Sequence, residues 1–264
     1  MFDLLKLLFL ISCGVCLVNA GCRQQESHEC ESICRKELNG KLTCELRGAV
    51  ILPKESPFIT SQATIERIRP VIHFADKKIR NEQILPDFIK INWKYYDDQC
   101  DAAIATIHAI DAYAKHCSHF IIGPSCEYTV SAISRIVKYF YNDGLNIITA
   151  AAFSFDFSEP KQTCSDQYHM LQRVGMVSFE QIANFMGKIM KKFKWKNSVF
   201  LYERDGYYDI GGTDTCRLMM SAVAKEFREE NLKYSPYELI PTDNTTEARK
   251  EDLKREVGTK NGSK

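Results

Sequence analysis

Short apolar runs and segments of helical periodicity alternate along most of this chain. Apolar residues fall in runs of strand length at 46–52, 120–122, 146–152 and 199–202, and residues 88–96 alternate apolar with polar side chains. Strands that alternate with helices over short connections form βαβ units, which place helices on both faces of a mostly parallel sheet. The pattern therefore predicts an α/β fold built of Rossmann-like parallel sheets.

The segments between these strands each have apolar residues at helical spacing. The predicted stripes contain Ile65, Ile68, Ile72, Ala75 and Ile79; Ala103, Ile107, Ile110 and Ala114; Val130, Ile133, Val137 and Phe140; Ile182, Met186, Ile189 and Phe193; and Leu218, Ala222 and Phe227. Each stripe is expected to face the core. Ligands of such folds bind at the carboxyl ends of the strands, so the loops after Leu52, Ile122, Ala152 and Tyr202 are predicted to carry the function.

The first twenty residues have the pattern of a secretory signal peptide. Lys6 precedes an apolar stretch at 7–18, and Val18-Asn19-Ala20 predicts cleavage after Ala20. An uncleaved anchor is the alternative, but the stretch is shorter than the ~20 residues that a membrane span needs. No later segment reaches that length, so we expect a protein that is secreted outside the cell.

Nine of the 11 cysteines lie beyond this segment: Cys22, Cys30, Cys34, Cys44, Cys100, Cys117, Cys126, Cys164 and Cys216. In an oxidising compartment they are disulfide candidates before they are metal ligands or nucleophiles. Because nine is odd, at least one thiol lacks a partner within the chain. The alternative for the N-terminal cysteines is a zinc knuckle built on His28, Cys30 and Cys34, which secretion disfavours.

The sequence carries no constellation typical of an enzyme. The turn Gly123-Pro124-Ser125-Cys126 precedes a predicted helix but lacks the G-x-S-x-G pattern of a nucleophile elbow. Its backbone N–H groups suit a small anion instead, with the Glu127 carboxylate as a competitor. The loop 205–214 lacks the EF-hand spacing, and the histidines form no metal-binding pair. The net charge of +1 gives no electrostatic reason to expect nucleic acid or an anionic membrane as a partner.

Tyrosines stand at the predicted carboxyl ends of several strands. Tyr96 and Tyr202 each end a strand, and Tyr128 follows the Gly123-Pro124 turn. Core packing is the ordinary role of a single tyrosine, but several at one edge of a sheet suit recognition, because each offers a large contact area with a polar tip. We therefore predict that Tyr96, Tyr128 and Tyr202 bind the ligand.

Two stretches resemble a known family. Ile122-Gly123-Pro124-Ser125-Cys126-Glu127-Tyr128, followed by a helix and then Asn146-Ile147-Ile148-Thr149-Ala150, is similar to the ligand-binding ectodomain of natriuretic peptide receptors and, more broadly, of receptor guanylate cyclases. Phe193-Lys194-Trp195 ahead of the strand 198–202 also matches. The resemblance implies a type I periplasmic-binding-protein fold with two Rossmann-like lobes, a peptide ligand, and a homodimer in the full receptor.

The resemblance also assigns roles to single residues. It implies a disulfide between Cys100 and Cys126, and a bound chloride, with no other cofactor, held by Ser125, Cys126 and Thr64. Tyr128 and Tyr202 match aromatic positions near the hormone. Arg217 and Leu218 stand where the vertebrate hormone receptors carry aromatic residues, so the expected peptide differs from theirs. The alternatives are an amino-acid or other small-molecule sensor of the same fold, and a secreted decoy.

The chain is predicted to have five parts. They are the signal peptide 1–20, a Cys-rich extension 21–44, a first lobe 45–160, a partial second lobe 161–241 and a charged tail 242–264. The tail lacks an apolar face and is predicted to be disordered, with glycosylation sequons at Asn244 and Asn261. The few strands of the second lobe predict an incomplete sheet, in either a fragment of a longer membrane receptor or a secreted isoform.

Overall fold

The computed structural model describes residues 30, 33–38, 40–55, 63–141, 144–159, 161–175, 178–239 and 246–258. The predicted signal peptide and the sequons at Asn244 and Asn261 lie outside the described residues. Among the helices that are described, none is long and apolar enough to cross a membrane.

Two sheets organise the chain. The first contains β1 (Cys34–Lys36), β2 (Leu42–Leu52), β3 (Ile89–Asp97), β4 (Phe120–Ile122), β5 (Asn146–Thr149) and β6 (Leu171–Arg173), and the second contains β7 (Asn197–Tyr202) and β8 (Lys233–Glu238). In the first sheet the parallel strands lie in the order β3-β2-β4-β5-β6, and β1 pairs antiparallel with the start of β2. β7 and β8 are also parallel. The alternating α/β fold predicted from the sequence is confirmed.

Helices connect these strands. They are α1 (Ile65–Asn81), α2 (Ala102–Ala114), α3 (Glu127–Ile136), α4 (Phe179–Lys192), the short α5 (Tyr208–Gly211), α6 (Thr215–Glu229) and α7 (Thr246–Leu253), with 3-10 turns at Val137–Tyr139 and Phe155–Ser158 and a π-helical turn at Lys254–Gly258. The first sheet and its helices form the first lobe, and α4 to α7 with β7 and β8 form the second.

The boundary between the lobes differs from the prediction. The sequence places it at residue 160, but β6 pairs in parallel with β5 and so belongs to the first sheet. The break around Glu159 is therefore a long loop within the first lobe. The second lobe begins after Arg173, with α4.

In two helices the centre of the buried face differs from the predicted stripe. In α2 the buried residues are Ala105, Ala109 and Ala112, whereas Ile107 is 58% exposed. In α4 they are Phe179, Ala183, Gly187 and Met190, one position away from the predicted stripe, whose Ile182 and Met186 are partly buried against the same core. Small side chains allow close approach between helices, here between α4 and α6, so the stripe of largest side chains was the wrong guide.

Disulfides attach the N-terminal segment to the first sheet. Cys30 bonds to Cys117 just before β4, and Cys34 bonds to Cys44 between β1 and β2. The alternative zinc knuckle on His28, Cys30 and Cys34 is therefore wrong, because a disulfide sulfur has no thiolate to offer a metal. The two disulfides agree with the predicted Cys-rich extension at 21–44.

His119, two residues after Cys117, connects the start of β4 to β2 through hydrogen bonds with Arg47. Its ring Nδ1 accepts the backbone N–H of Arg47 at 2.9 Å, and the backbone N–H of His119 donates to the Arg47 carbonyl at 2.8 Å. Burial lowers the pKa of His119, so the ring is held neutral with Nδ1 free to accept.

The charged tail is partly helical rather than disordered. Residues 246–253 form α7, which is rich in the good helix formers Glu, Ala, Arg, Lys and Leu. Beyond it, Arg255 donates to the Tyr237 hydroxyl on β8 at 2.8 Å and pairs with Asp252. Local propensity and this contact with β8 outweigh the lack of a buried apolar face.

Candidate ligand-binding site

A pocket of about 350 Å³ lies at the carboxyl ends of the first-lobe strands. Its lining consists of Leu52, Ala63, Ile68, Ile122, Gly123, Pro124, Ser125, Ile148, Thr149, Ala150, Ala151, Phe153 and Val174. The wall is almost entirely apolar. The Thr149 hydroxyl is already engaged, since it donates to the Pro124 carbonyl and accepts the Ala151 N–H. The pocket lies at the loops after Leu52, Ile122 and Ala152, three of the four loops that the sequence predicts to carry the function. Its apolar wall suits an apolar group of a ligand.

Gly123 sets the turn at one side of this pocket. Its φ is +94°, and a Cβ there would lie 2.1 Å from the Ile51 carbonyl oxygen. Only glycine combines this backbone conformation with so close an approach. The turn after β4 is therefore pressed against the end of β2, which brings Ser125 next to the segment before α1.

Ser125 and Cys126 form a cradle of free backbone donors at the start of α3. Neither of their N–H groups donates to an acceptor among the described residues. Ser125 Oγ lies 3.5 Å from the Ala63 carbonyl, and the next residue, Thr64, is fully buried with its hydroxyl unpartnered by the described chain. Unpaired donors at the positive end of a helix favour an anion.

Glu127 does not compete for this cradle. Its carboxylate accepts the N–H groups of Phe153 at 2.8 Å and Ser154 at 3.0 Å, in the loop after β5. Burial raises the pKa of Glu127, while these backbone donors oppose the shift. The side chain therefore fixes the loop that closes the pocket.

A disulfide joins Cys100, after β3, to Cys126, with 5.6 Å between the two Cα atoms. Asp98 supports it, because the fully buried carboxylate accepts the Cys100 N–H at 3.0 Å. Burial raises the pKa of Asp98 to about 7. The bridge thus connects the loops after β3 and β4 beside the cradle.

The second lobe contacts the first at this disulfide. Gly212 lies against it, since a Cβ on Gly212 would be 3.5 Å from Cys100 Sγ. Next to it, the Tyr128 hydroxyl on α3 donates to Asp214 at 3.1 Å. The Asp214 carboxylate also pairs with Arg204 at 2.6 Å and with Arg217 at 3.4 Å. The Tyr128–Asp214 hydrogen bond and the contact of Gly212 with the disulfide therefore join the two lobes, and the two arginines hold Asp214 in place.

Tyrosines of both lobes lie in the elements that form that contact. Tyr128 is 41% exposed on the first lobe, and Tyr207 and Tyr208 are 58% and 46% exposed on the second. Partial burial and the nearby Asp214 carboxylate raise the pKa of Tyr128. Together with Tyr202 at the end of β7, we call these residues the rim tyrosines. Sequence reasoning missed Tyr207 and Tyr208, although their place in the loop after the carboxyl end of β7 was the available signal.

Tyr96 does not belong to this surface, so its predicted ligand role is wrong. It is only 8% exposed, and its ring packs 5.3 Å from that of His108 on α2. Its hydroxyl is buried and has no partner among the described residues. As the next-to-last residue of β3, it faces the helix layer rather than the strand end.

Cys216 is buried at the start of α6, and no disulfide joins it to Cys164. It lies close to Gly206 in the loop that carries Tyr207 and Tyr208. The thiol therefore packs beneath the rim of the second lobe.

Known proteins resemble this chain in sequence and in architecture. Residues 67–261 match the family described as "Receptor family ligand binding region". Atrial natriuretic peptide receptor 2 of Anguilla japonica is 24% identical over 177 residues, which cover 65% of this chain and 15% of that receptor. A solute-binding protein of an ABC transporter from R. palustris, solved in complex with 4-hydroxybenzoate, has a TM-score of 0.54 at 12% identity, over 81% of this chain and 52% of that one.

The structural likeness, at such low identity, speaks for the fold, which is of the type I periplasmic-binding-protein kind. The family match extends over well more than half of the chain and includes both lobes. This chain therefore belongs to the receptor family ligand binding region.

Proposed function

We propose that the chain is the extracellular ligand-binding region of a peptide-hormone receptor of the natriuretic peptide receptor and guanylate cyclase type. The observation that carries this proposal is the set of rim tyrosines, which both lobes contribute around Asp214. Exposed tyrosines are typical of protein and peptide interfaces, where they dominate the binding energy.

Charged groups beside the rim tyrosines support a peptide in particular. Arg204 and Asp205 lie within the same network, since the Asp205 carboxylate accepts the Asp214 N–H and Arg204 pairs with Asp214. A peptide offers apolar side chains, backbone amides and charges at several points, so it can meet tyrosines and both signs of charge at once. A ligand that bridges the lobes would take over or reinforce the Tyr128–Asp214 bond.

The extracellular setting rests on disulfide usage. Three bridges in the described residues suit an oxidising compartment. Cleavage after Ala20, glycans at Asn244 and Asn261, and a homodimer in the full receptor belong to the same proposal. Glycosidase treatment of protein from culture medium would test it, with a mobility shift that Asn244→Gln and Asn261→Gln abolish.

A chloride ion in the cradle is part of this proposal. The free N–H groups of Ser125 and Cys126, with the buried Thr64 hydroxyl beside them, suit a monovalent anion of halide size. Its role would be to hold the turn after β4 in place below Tyr128. Replacing chloride with a large anion should then weaken peptide binding.

The apolar pocket favours a second candidate, a sensor of a small apolar molecule. Its volume of about 350 Å³ lies within the range of small-molecule sites. The similar R. palustris protein is described in complex with the small aromatic acid 4-hydroxybenzoate. Amino acids are less suited, because the wall offers few free polar groups.

Calorimetry with two groups of probes separates these functions. We expect heat of binding from at least one member of a panel of disulfide-looped peptide hormones, and none from apolar amino acids or 4-hydroxybenzoate. Tyr128→Ala and Tyr207→Ala should each weaken peptide binding about 30-fold, as for an interface residue that contributes about 2 kcal/mol. The equally exposed Tyr139→Ala is the control. Heat from the small molecules alone, abolished by filling the pocket with Ala150→Leu, would favour the second candidate.

A further inference from the structure

Positive charge is concentrated in one stretch of this nearly neutral chain. Residues 181–202 contain Lys188, Lys191, Lys192, Lys194 and Lys196 and not one acidic residue. All five lysines are exposed. They follow the second half of α4 and the connection to the amino end of β7, whereas Tyr202 lies at the opposite, carboxyl end of that strand.

Two aromatic rings lie among these lysines. Phe193 and Trp195 stack with ring centroids 5.2 Å apart and an interplanar angle of 24°. They are 56% and 55% exposed. We call Lys192, Phe193, Lys194, Trp195 and Lys196 the lysine–aromatic surface.

The backbone holds this surface firmly. The Phe193 N–H donates to the Ile189 carbonyl at 3.0 Å, and the Trp195 N–H donates to the Met190 carbonyl at 2.9 Å. Lys194 has φ +57°, which ends α4. The two rings therefore form a fixed ledge on a helix terminus rather than a flexible loop.

Helix capping explains only part of the charge. Cations in the last turn stabilise the helix dipole, a role for Lys191 and Lys192. Lys191 is also paired with Glu230. Lys194 and Lys196 lie beyond the helix and have no ion-pair partner among the described residues. Neither helix stability nor core packing accounts for them or for the exposed rings.

We propose that the lysine–aromatic surface binds a sulfated polysaccharide. Lysine ammonium groups pair with sulfate groups, while the flat face of a sugar ring packs its C–H groups on an aromatic ring. A polymer with sulfates on successive sugars matches cations that alternate with rings. This binding is separate from the ligand site and does not depend on the function proposed above.

An anionic membrane fits this surface less well. Amphipathic helices that lie on membranes present a long apolar face opposite their lysines. The apolar face of α4 is already occupied, because Ala183, Gly187 and Met190 are buried in the second-lobe core next to α6. The large apolar side chains that stay exposed on α4 and on its connection to β7 are few, namely Phe185, Phe193 and Trp195. The stacked pair among them offers a small ledge, which is the size of one or two sugar rings.

Immobilised heparin is the probe for the test. We expect the full chain to bind heparin in 0.15 M NaCl, with an affinity that falls steeply as salt rises, as counter-ion release requires. The triple variant Lys192→Gln/Lys194→Gln/Lys196→Gln should bind roughly 100-fold more weakly, if each lysine contributes about fivefold near an anionic surface. The matched control Lys54→Gln/Lys77→Gln/Lys90→Gln makes the same change of charge at exposed sites of the first lobe and should bind like the unmodified chain.

The rings are tested separately. Trp195→Ala should weaken heparin binding at 0.5 M NaCl, where charge is screened, provided that thermal unfolding shows a folded second lobe. Three results would overturn the proposal: no heparin binding at 0.15 M NaCl, an equal loss in the control triple variant, or tighter binding to phosphatidylserine vesicles than to heparin.

Discussion

The disulfide between Cys100 and Cys126 should carry a large part of the stability of the first lobe. The two cysteines are 26 residues apart in the sequence. With that loop length, the chain-entropy relation gives about 3.5 kcal/mol of stabilisation through the unfolded state. The double variant Cys100→Ala/Cys126→Ala should therefore lower the free energy of unfolding by about that amount.

Urea unfolding followed by circular dichroism measures this loss. With a denaturant slope of about 2 kcal/mol/M, the midpoint should fall by roughly 1.7 M. The control is Cys34→Ala/Cys44→Ala, whose cysteines are 10 residues apart, and whose loss should be smaller, at about 2.7 kcal/mol. A double variant within 1 kcal/mol of the unmodified chain would refute the reasoning, as would peptide mapping under non-reducing conditions that finds both thiols free.

Three further changes test the surroundings of the site. Burial lowers the pKa of His119, and that of the neighbouring His116, below 6.5, so the unfolded chain takes up these protons first. The free energy of unfolding is therefore highest above about pH 6.5 and falls as pH drops; in urea titrations His119→Gln should reduce this fall and the exposed His73→Gln should leave it unchanged. Burial raises the pKa of Asp98 from 3.8 to about 7, so the stability that its protonated form contributes is complete below about pH 4 and is lost as pH rises to about 7. Asp98→Asn should remove this fall in the free energy of unfolding, which is worth up to about 4 kcal/mol, and an unchanged pH profile would contradict the assignment. Gly123→Ala should lower the free energy of unfolding by well over 1 kcal/mol, whereas Gly40→Ala, also at positive φ but with open space around its Cβ, should cost only about 1 kcal/mol; equal losses would argue against the close approach.

The alternation of strands and helices was sufficient to predict the parallel α/β fold and the edge where the pocket lies. The spacing and the length of an apolar pattern are local properties of the sequence. They therefore predict that a helix or strand exists and at which edge of the sheet its loops lie. The buried faces of α2 and α4 were missed for a physical reason. Each helix packs through small residues such as Ala109 and Gly187, and small residues give a weak periodic signal beside an exposed Ile107.

The site was predictable in part. The family resemblance predicted the Cys100–Cys126 disulfide and two of the rim tyrosines, because short motifs carry local geometry. Contacts between lobes depend on pairs far apart in sequence, such as Tyr128 with Asp214, and no local pattern reports them. The predicted ligand role of Tyr96 was wrong for a related reason. The alternation along β3 assigns its side chain to one face of the sheet, but does not show that α2 covers this face.

The most direct test of the central claim is to locate the bound ligand on the chain. A peptide selected by calorimetry, carrying a photo-reactive group, would be cross-linked to the full chain and the attachment sites found by mass spectrometry. The rim tyrosines Tyr128, Tyr202, Tyr207 and Tyr208 or their immediate neighbours should carry the cross-links, on both lobes at once. Cross-links confined to one lobe, or found only along the apolar pocket at Ile148 to Ala151, would contradict a peptide site that spans the lobes.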